Sequence, residues 1–290
     1  MGSRLAGVLL VCALLAAGPG RAAPCGPEDS SPAAPGAPLG VARTLVVDGR
    51  EGLALGLQTY PRTLALADHE VVLTFDDGPA APTPRVLEAL ARECVRATFF
   101  LIGRNALAHP ELVRRELAAG HSVGTHSFSH PAATLRGMDT AAAEAEITRG
   151  IAAVAEASGG ARMPFFRFPG FADTPALRAW LAGRGISVFG ADLWASDWRR
   201  MTPAEELALL MGRLEKAGRG IILLHDSKAQ TAEMLPAFLH ALKARGFRVV
   251  HIVPGVRGAD MGPTPVMPAP AGWHSATEAI LARTLPPAAR

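Results

Sequence analysis

Cysteine is scarce in this sequence, which contains only three among its 290 residues. Their spacing matches no zinc-binding cysteine motif, so a structural zinc site built on thiolates is excluded. Cys12 lies in an N-terminal stretch that we expect to be removed, which leaves Cys25 and Cys94. Export would permit a disulfide between these two. Because Cys94 stands just before an apolar run, however, we expect it to be a small buried thiol.

Basic clusters and long apolar runs are also missing. Charged residues make up 19% of the chain, the net charge is +3 and the pI is about 9.0. No Lys/Arg cluster suits contact with successive phosphates, so we expect no nucleic-acid partner. After the N-terminal stretch, no run reaches the roughly 18 apolar residues of a membrane-spanning helix. We therefore expect no transmembrane span in the mature chain, and we favour a monomer.

The N-terminal 23 residues have the build of a cleaved secretory signal. Arg4 precedes an apolar stretch from Leu5 to Ala17, and Gly-Pro-Gly-Arg-Ala-Ala follows. We therefore expect residues 1–23 to be removed and the protein to be exported to the periplasm or the extracellular space. Pro24 stands where lipid attachment at Cys25 would need a small residue, which disfavours a lipid anchor.

Apolar runs rich in Val, Ile and Phe alternate with amphipathic segments at helical spacing. Such alternation implies right-handed crossovers and a parallel sheet, either closed as a barrel or doubly wound. The sequence therefore predicts the α/β class. The predicted strands lie near 69–75, 96–102, 121–125, 164–168, 186–191, 219–224 and 247–253. The predicted helices lie near 84–93, 110–119, 140–157, 174–184, 203–217 and 231–245.

The flanks of this region differ in composition. Residues 24–68 begin with a linker rich in Pro, Ala and Gly, and continue with two short apolar runs split by an Asp-Gly dipeptide. The second part predicts a β-hairpin laid against the barrel. We expect one catalytic domain at 69–254. Residues 255–290, rich in Pro, Gly and Ala, predict a linker or loose arm with a short helix near 275–284.

Polar side chains gather at the C-terminal ends of the predicted strands. In a parallel barrel or sheet these ends meet on one face, and that face carries the ligand site. The residues concerned are Asp76 and Asp77 after the first strand, His126 and His130 after the third, Arg167 at the fourth, Asp192 and Asp197 after the fifth, and His225 at the sixth.

Asp76 and Asp77 are adjacent carboxylates, which repel each other unless a cation or a proton lies between them. The pair suggests that one binds a metal while the other acts as a base, although Asp-Gly-Pro is also ordinary turn chemistry. His126 and His130 are four residues apart, so one helical turn would bring both imidazoles to one face. Two surface histidines are the alternative. With Asp77, they complete the His, His, carboxylate set of a catalytic zinc or similar ion.

Five segments in order resemble the motifs of the NodB-like polysaccharide deacetylases, carbohydrate esterase family 4. The resemblance extends from about residue 69 to residue 253. It implies a distorted seven-stranded (β/α) barrel, similar to a TIM barrel. It also implies a divalent metal, usually zinc, and hydrolysis of N-acetyl groups on N-acetylglucosamine glycans or of O-acetyl groups on xylan. The segments are Thr74-Phe75-Asp76-Asp77-Gly78, His126-Ser-Phe-Ser-His130, Arg167-Phe-Pro-Gly170, Asp197-Trp198 and Leu223-Leu-His225.

The resemblance also implies a role for each matching residue. Asp76 is the expected general base, with Arg167 hydrogen-bonded to it, and His225 is the expected acid, held in place by Asp197. The expected metal ligands are Asp77, His126 and His130, for Zn²⁺ or alternatively Co²⁺, Mn²⁺ or Ni²⁺.

The remaining expected positions would contact the substrate. The backbone N–H of Gly170 would stabilise the oxyanion. Many relatives have Tyr at this position, so the wall of the sugar cleft is expected to differ here. Leu223 would line the acetyl pocket and Trp198 a groove wall, while Phe171 and Trp194 could offer apolar faces to a sugar.

Three functions stay open on the sequence. The first is a metal-dependent N-deacetylase of peptidoglycan- or chitin-type glycans. The second is hydrolysis of another acyl group, such as an O-acetyl ester on xylan or a small cyclic amide. The third is a secreted, non-catalytic glycan-binding module.

Overall fold

The structure of the protein, a computed structural model, describes residue 25 and residues 37–132, 134–255 and 262–277. The predicted signal at 1–23, most of the linker and the end of the tail lie outside the described residues. In the part that is described, no helix combines the length and apolar character needed to cross a membrane.

All seven strands predicted for the alternating region are present, and five further short strands accompany them. In chain order the strands are β1 (Arg43–Val47), β2 (Ala54–Leu55), β3 (Arg62–Leu64), β4 (Glu70–Asp76), β5 (Thr98–Leu101), β6 (Ser122–Thr125), β7 (Phe165–Phe166), β8 (Ser187–Phe189), β9 (Leu193–Trp194), β10 (Gly220–His225), β11 (Arg248–Pro254) and β12 (Val266–Pro268).

The main sheet is parallel, as predicted. Strands β4 to β8 lie side by side in chain order, β10 lies against β4, and β9 pairs with β10. Strand β11 joins the N-terminal end of β4. Because the strands are parallel, the loops after β4, β6, β7 and β10 open on the same face.

The six predicted helices are present, and one short helix was missed. Thr174 and Thr202 accept hydrogen bonds from backbone N–H groups and so cap two of the helices. The missed helix follows β5 and is only six residues long, too short for a periodic signal. The helices are α1 (Thr83–Arg92), α2 (Gly103–Ala108), α3 (Pro110–Ala118), α4 (Thr140–Ala157), α5 (Pro175–Ala182), α6 (Pro203–Ala217) and α7 (Ala229–Ala244).

The alternation of side chains along each strand decides which residues reach the interior of the sheet. On β4, Val71 and Leu73 pack into the large apolar cluster that includes residues of α1, α6 and α7, whereas Val72 belongs to a second cluster on the opposite face. Successive side chains alternate, so Asp76 lies on the same face as Val72. The same parity places His225 with Ile221 on β10. The fold thus directs the side chains of Asp76 and His225 towards the interior at the C-terminal ends of the strands, which we call the open end of the barrel.

The predicted β-hairpin in the N-terminal extension is wrong. Strand β1 pairs in parallel with β11, and β2 pairs in parallel with β8, so the two runs do not pair with each other. A short 3₁₀ turn, Gly49–Glu51, separates them and is capped by Asp48. Val47 and Leu55 are fully buried in the interior cluster. Burial of these side chains on two strands with distant parallel partners stabilises the fold more than a local hairpin at the Asp-Gly turn would.

The C-terminal tail is not a loose arm where the structure describes it. Strand β12 pairs antiparallel with β3. Trp273 Nε1 donates to the carbonyl of Leu57 at 2.6 Å, and the N–H of Thr277 donates to the carbonyl of Gln58 at 3.0 Å. The tail therefore folds back on the N-terminal extension. The predicted helix near 275–284 lies mostly outside the described residues.

The expectation of a free buried thiol at Cys94 is also wrong. Cys25 and Cys94 form a disulfide, with their Cα atoms 5.5 Å apart. Cys94 occupies the turn between α1 and β5 with a φ of +52°, where the N-terminal segment can reach it. The pairing could not be predicted because the two cysteines are 69 residues apart and belong to no recognisable cysteine motif.

The disulfide is expected to stabilise the fold. It constrains a long segment of the unfolded chain, and losing such a bond costs about 2–5 kcal/mol. We expect the Cys25→Ser, Cys94→Ser double variant to melt at a lower temperature than the oxidised wild type. Wild-type protein treated with reductant should match the variant, and reductant should not affect the variant further. Equal melting temperatures for oxidised and reduced wild type would contradict the expectation.

Candidate active site

Asp76 ends β4 and is held by a buried arginine. The carboxylate is 2% exposed, and its Oδ1 accepts a hydrogen bond from Arg167 Nη1 at 2.7 Å. Arg167 is fully buried after β7, and its guanidinium also donates to Thr74 Oγ1 and to the carbonyls of Phe189 and Gly190. These contacts fix both partners and leave Asp76 Oδ2 towards the open end.

Burial raises the pKa of Asp76, and the charge of Arg167 opposes that rise. The Asp76 carboxylate therefore holds a proton more readily than a solvated aspartate does. A group of this kind is suited to accept a proton from water.

Asp77, the next residue, has a φ of +72°, which turns its side chain away from that of Asp76. Its Oδ1 lies 3.7 Å from His126 Nε2 and 3.8 Å from His130 Nε2. Asn105 Nδ2, from the helix that the sequence did not predict, donates to the carbonyl of Asp77 at 2.9 Å. The three predicted ligand side chains are therefore brought together.

The predicted helical turn between the two histidines is wrong. The segment is a bend, in which Ser127 has a φ of +62° and His130 a φ of +53°. Ser127 Oγ accepts a hydrogen bond from the N–H of His130 at 3.0 Å, which closes the bend. The imidazole centroids are 5.2 Å apart. The bend, not a helix, brings the rings together.

The residues present fit a divalent metal ion. One nitrogen or oxygen from each of Asp77, His126 and His130 lies within 4.8 Å of the others. Asp77 Oδ1 is buried and finds no hydrogen-bond partner in the described part of the chain. His126 Nδ1 lies 2.8 Å from the carbonyl of Arg167, and because a carbonyl can only accept a hydrogen bond, Nδ1 carries the proton and the Nε2 lone pair is left to bind a metal. Burial lowers the pKa of His126 to about 3, which keeps the ring neutral as a ligand requires.

His225 stands opposite Asp76, because β10 and β4 are in register at these residues. Its ring Nδ1 lies 2.7 Å from Asp197 Oδ1, and its backbone N–H donates to Asp197 Oδ2 at 2.7 Å. His225 Nε2 lies 3.9 Å from Asp77 Oδ2. The imidazole is therefore fixed by Asp197 and presents Nε2 to the other carboxylates.

The charge of His225 is stabilised by its surroundings. Burial lowers its pKa, but Asp197 outweighs this through its charge and hydrogen bond, with smaller contributions from Asp76 and Asp77. The result is a pKa of about 9. At neutral pH the ring is a cation that can donate a proton from Nε2.

Two supporting residues were missed from the sequence. Thr231 on α7 donates from Oγ1 to Asp197 Oδ2 at 2.9 Å and also lies 3.0 Å from Glu206 Oε1 on α6. Burial, followed by the charge of Asp197, raises the pKa of Glu206 to about 7. Neither residue lies in a recognisable motif, so no sequence signal points to them.

Two further aspartates have structural positions. Asp192 accepts hydrogen bonds from the N–H groups of Leu57 and Ile221, and so links the N-terminal extension to β10. Asp226 lies in the turn between β10 and α7 but is not the N-cap of α7, which is Lys228. Asp226 is instead fully buried and accepts from Thr83 Oγ1.

Apolar side chains form one side of the open end. Leu223 and Phe171 are buried in a small cluster, against which Trp194 packs. The rings of Phe171 and Trp194 are stacked at 5.9 Å, and Trp198, which is 50% exposed, lies 6.0 Å from the ring of His225. Gly170 has a φ of +59°, and no atom lies within 4 Å of the position of a Cβ. The space beside the Cα of Gly170 is therefore open.

Residues 65–187 match the family described as polysaccharide deacetylase. A peptidoglycan-N-acetylglucosamine deacetylase of Bacillus cereus is 34% identical over 182 residues, which cover 60% of this chain and 66% of that protein. A chitooligosaccharide deacetylase of a Bradyrhizobium species is 32% identical over 194 residues, which cover 62% of this chain and 87% of that protein.

Solved structures agree with these matches. A peptidoglycan deacetylase of Bdellovibrio bacteriovorus superposes with a TM-score of 0.67 at 32% identity, over 75% of this chain and 60% of that one. The chain thus spans less than two thirds of two of these relatives, 66% of the Bacillus protein and 60% of the Bdellovibrio protein. The fold is the predicted distorted seven-stranded (β/α) barrel, with helices around a parallel sheet.

Proposed function

The chain belongs to the polysaccharide deacetylase family, and from that membership we propose a metal-dependent hydrolase that removes N-acetyl groups from N-acetylglucosamine-containing glycans. One observation carries the proposal: a buried Asp–Arg pair, an Asp–His–His cluster and an Asp–His pair converge on the open end of one barrel. Named relatives act on peptidoglycan or on chitooligosaccharides, and we propose glycans of these types as substrates. We also propose that the catalytic unit spans 69–254 and works outside the cytoplasm after export.

Asp77, His126 and His130 are the proposed ligands of the metal, with Zn²⁺ favoured. When bound, a divalent ion would polarise the acetyl carbonyl and lower the pKa of an attacking water. His126 is prepared for this task, since its hydrogen bond to the Arg167 carbonyl orients the ring. Asp77 contributes the only negative charge of the set.

Asp76 is the proposed general base. It takes one proton from water as the new carbon–oxygen bond forms at the acetyl carbon. Arg167 keeps the carboxylate ionised and oriented, at a nitrogen–oxygen distance of 2.7 Å. The backbone N–H of Gly170 is the proposed donor to the oxyanion.

His225 is the proposed general acid. When the carbon–nitrogen bond breaks, the amine leaves readily only if it is protonated, and His225 Nε2 supplies that proton. Asp197 holds the ring in its charged form. Leu223 is the proposed contact for the acetyl methyl group, and Trp198 and Phe171 are proposed walls of the sugar site.

Acetate release tests the function. The protein should be incubated with Zn²⁺ and, separately, with peptidoglycan, chitin oligomers and acetylated xylan, and liberated acetate should be quantified. We expect release from the first two substrates, loss after treatment with a chelator, and recovery on adding Zn²⁺. Release from xylan alone would replace the proposal with an O-acetyl esterase. Binding without release would identify a non-catalytic glycan-binding module.

The metal ligands can be tested by metal content. We expect His126→Gln to lower the affinity for Zn²⁺ at least tenfold, because one of three protein ligands is lost. Less Zn²⁺ should therefore remain bound after dialysis, as measured by elemental analysis. His240→Gln, an exposed change on α7, is the matched control and should retain the metal. Full metal content in His126→Gln would contradict the assigned site.

A further inference from the structure

A polar cavity lies beside the chain segments that follow β6 and β7. It has a volume of about 310 Å³. Its walls come from the loop after β6, from the segment between β7 and α5, from the N-terminal extension and from the folded part of the tail. The lining residues are Thr59, Arg136, Asp173, Thr174, Pro175, Arg178, Ser275 and Thr277.

The cavity is joined to the proposed active site by two loops. Arg136 lies six residues after His130, and Asp173 lies two residues after Phe171. Both loops leave the C-terminal ends of their strands. A glycan that extends from the catalytic residues past Phe171 would therefore run towards the segment that carries Asp173.

The cavity carries more positive than negative charge. Arg136 and Arg178 line it, each with a side chain that is 34% exposed, and Asp173 is its only lining carboxylate. Asp173 is 3% exposed, and its Oδ2 already accepts from Tyr60 Oη and Arg178 Nη1, both at 2.8 Å. One buried carboxylate thus faces two guanidinium groups.

Most guanidinium donors are left for another acceptor. Arg136 donates from Nε to the carbonyl of Asp173 at 2.8 Å, while its Nη2 lies 3.7 Å from Asp173 Oδ1, too far for a hydrogen bond. Within the described residues, Arg136 and Arg178 each donate one hydrogen bond, although a guanidinium has five N–H groups. Planar guanidinium groups recognise carboxylates with two parallel hydrogen bonds.

Hydroxyl groups complete the rim. Thr277 Oγ1 lies 3.0 Å from Thr59 Oγ1 and donates to the carbonyl of Gln58. Ser275 Oγ donates to the same carbonyl at 3.1 Å. The tail thereby builds one wall of the cavity and fixes its shape.

We propose that this cavity binds a carboxylate of the glycan substrate. Peptide-free peptidoglycan strands carry such groups on the lactyl substituent of alternate sugars, and on peptide-bearing strands the stem peptides carry carboxylates, whereas chitin is neutral. The inference rests on the proposed function, which it deepens by favouring an acidic glycan. Free carboxylates such as released acetate share this chemistry, and the test separates the two sources.

Binding of product strands tests the proposal without turnover. The ligands are peptide-free peptidoglycan strands whose glucosamines lack N-acetyl groups, either with free lactyl carboxylates or with these groups converted to amides. Affinities are measured by calorimetry for the Zn²⁺-loaded wild type and for Arg136→Gln. Arg136→Lys keeps the positive charge but removes the planar guanidinium, so it tests whether two parallel hydrogen bonds to the carboxylate are needed. Arg184→Gln removes an equal charge from a residue that stacks on Trp180 outside the cavity.

We expect wild type to bind the carboxylate strands about three- to tenfold more tightly than the amidated ones. Arg136→Gln should abolish this ratio, Arg136→Lys should restore part of it, and Arg184→Gln should keep it. A wild-type ratio near one, or equal losses on both strands in Arg136→Gln, would overturn the proposal. So would Arg136-dependent binding of sodium acetate without any preference between strands. Acetate release is measured separately, so failure of the deacetylase assignment remains distinguishable.

Discussion

Replacing Asp76 with Asn is expected to lower kcat for acetate release by about 10²- to 10⁴-fold, the usual contribution of a general base. The amide has the same size as the carboxylate but cannot take the proton of water. Asp76 lies beside Arg167, with Oδ1 at 2.7 Å, and Oδ2 lies 3.7 Å from His126 Nε2. The change therefore removes the base while leaving the metal ligands in place.

Two measurements separate this role from a structural one. Zn²⁺ content of Asp76→Asn should equal that of the wild type, because the proposed ligands are Asp77, His126 and His130. Asp68→Asn, a matched change at an exposed aspartate far from the site, should leave kcat unaltered. Retention of wild-type kcat in Asp76→Asn would refute the assigned base, and loss of metal would show that Asp76 also supports the metal site.

Side-chain periodicity explains why the catalytic region could be predicted from sequence. Strands such as β4 are fully buried, so each appears in the sequence as a continuous apolar run that ends at a turn. The run stops at Asp76 because the strand emerges at the C-terminal edge of the sheet. Parallel pairing then brings residues that end different strands to one face, as the register of Asp76 with His225 illustrates. Sequence alone therefore predicts which residues meet, though not their distances.

Long-range pairing explains what could not be predicted. Strands β1 and β2 find their partners about 200 and 130 residues further along the chain, and nothing local specifies such partners. Asp48-Gly49 correctly indicated a turn, since Asp48 caps the 3₁₀ turn, but the dipeptide did not specify a hairpin. The disulfide and the folded tail depend on the same kind of distant contact.

The histidine pair shows the same limit within the site. A spacing of four residues suits a helix, yet the segment between His126 and His130 adopts positive φ at Ser127 and His130. Gly150 on α4 packs directly against this bend, where a Cβ would lie 2.5 Å from the carbonyl carbon of Ser127. The backbone geometry of the metal site thus depends on a glycine in a distant helix, which spacing within the motif does not reveal.

Replacing Asp197 with Asn is expected to reduce kcat at pH 8 by roughly 10- to 100-fold and to change its pH dependence. Asp197 is the main reason that the pKa of His225 is raised to about 9 despite burial. A general acid acts in its protonated form, so activity is present below its pKa and is lost as pH rises through it. Without the carboxylate the pKa falls, and the alkaline limb of kcat should move to lower pH.

The pH profile is the decisive measurement, because a merely structural loss would lower kcat equally at every pH. In Asp197→Asn the deficit should shrink as pH falls, since His225 regains its proton at lower pH. His225→Gln removes the acid itself and should be slow at all pH values, without an alkaline limb from this group. Identical limbs in Asp197→Asn and wild type would show that Asp197 does not control the protonation of His225. The hydrogen bonds of Asp197 would then serve only to hold the loop that carries it.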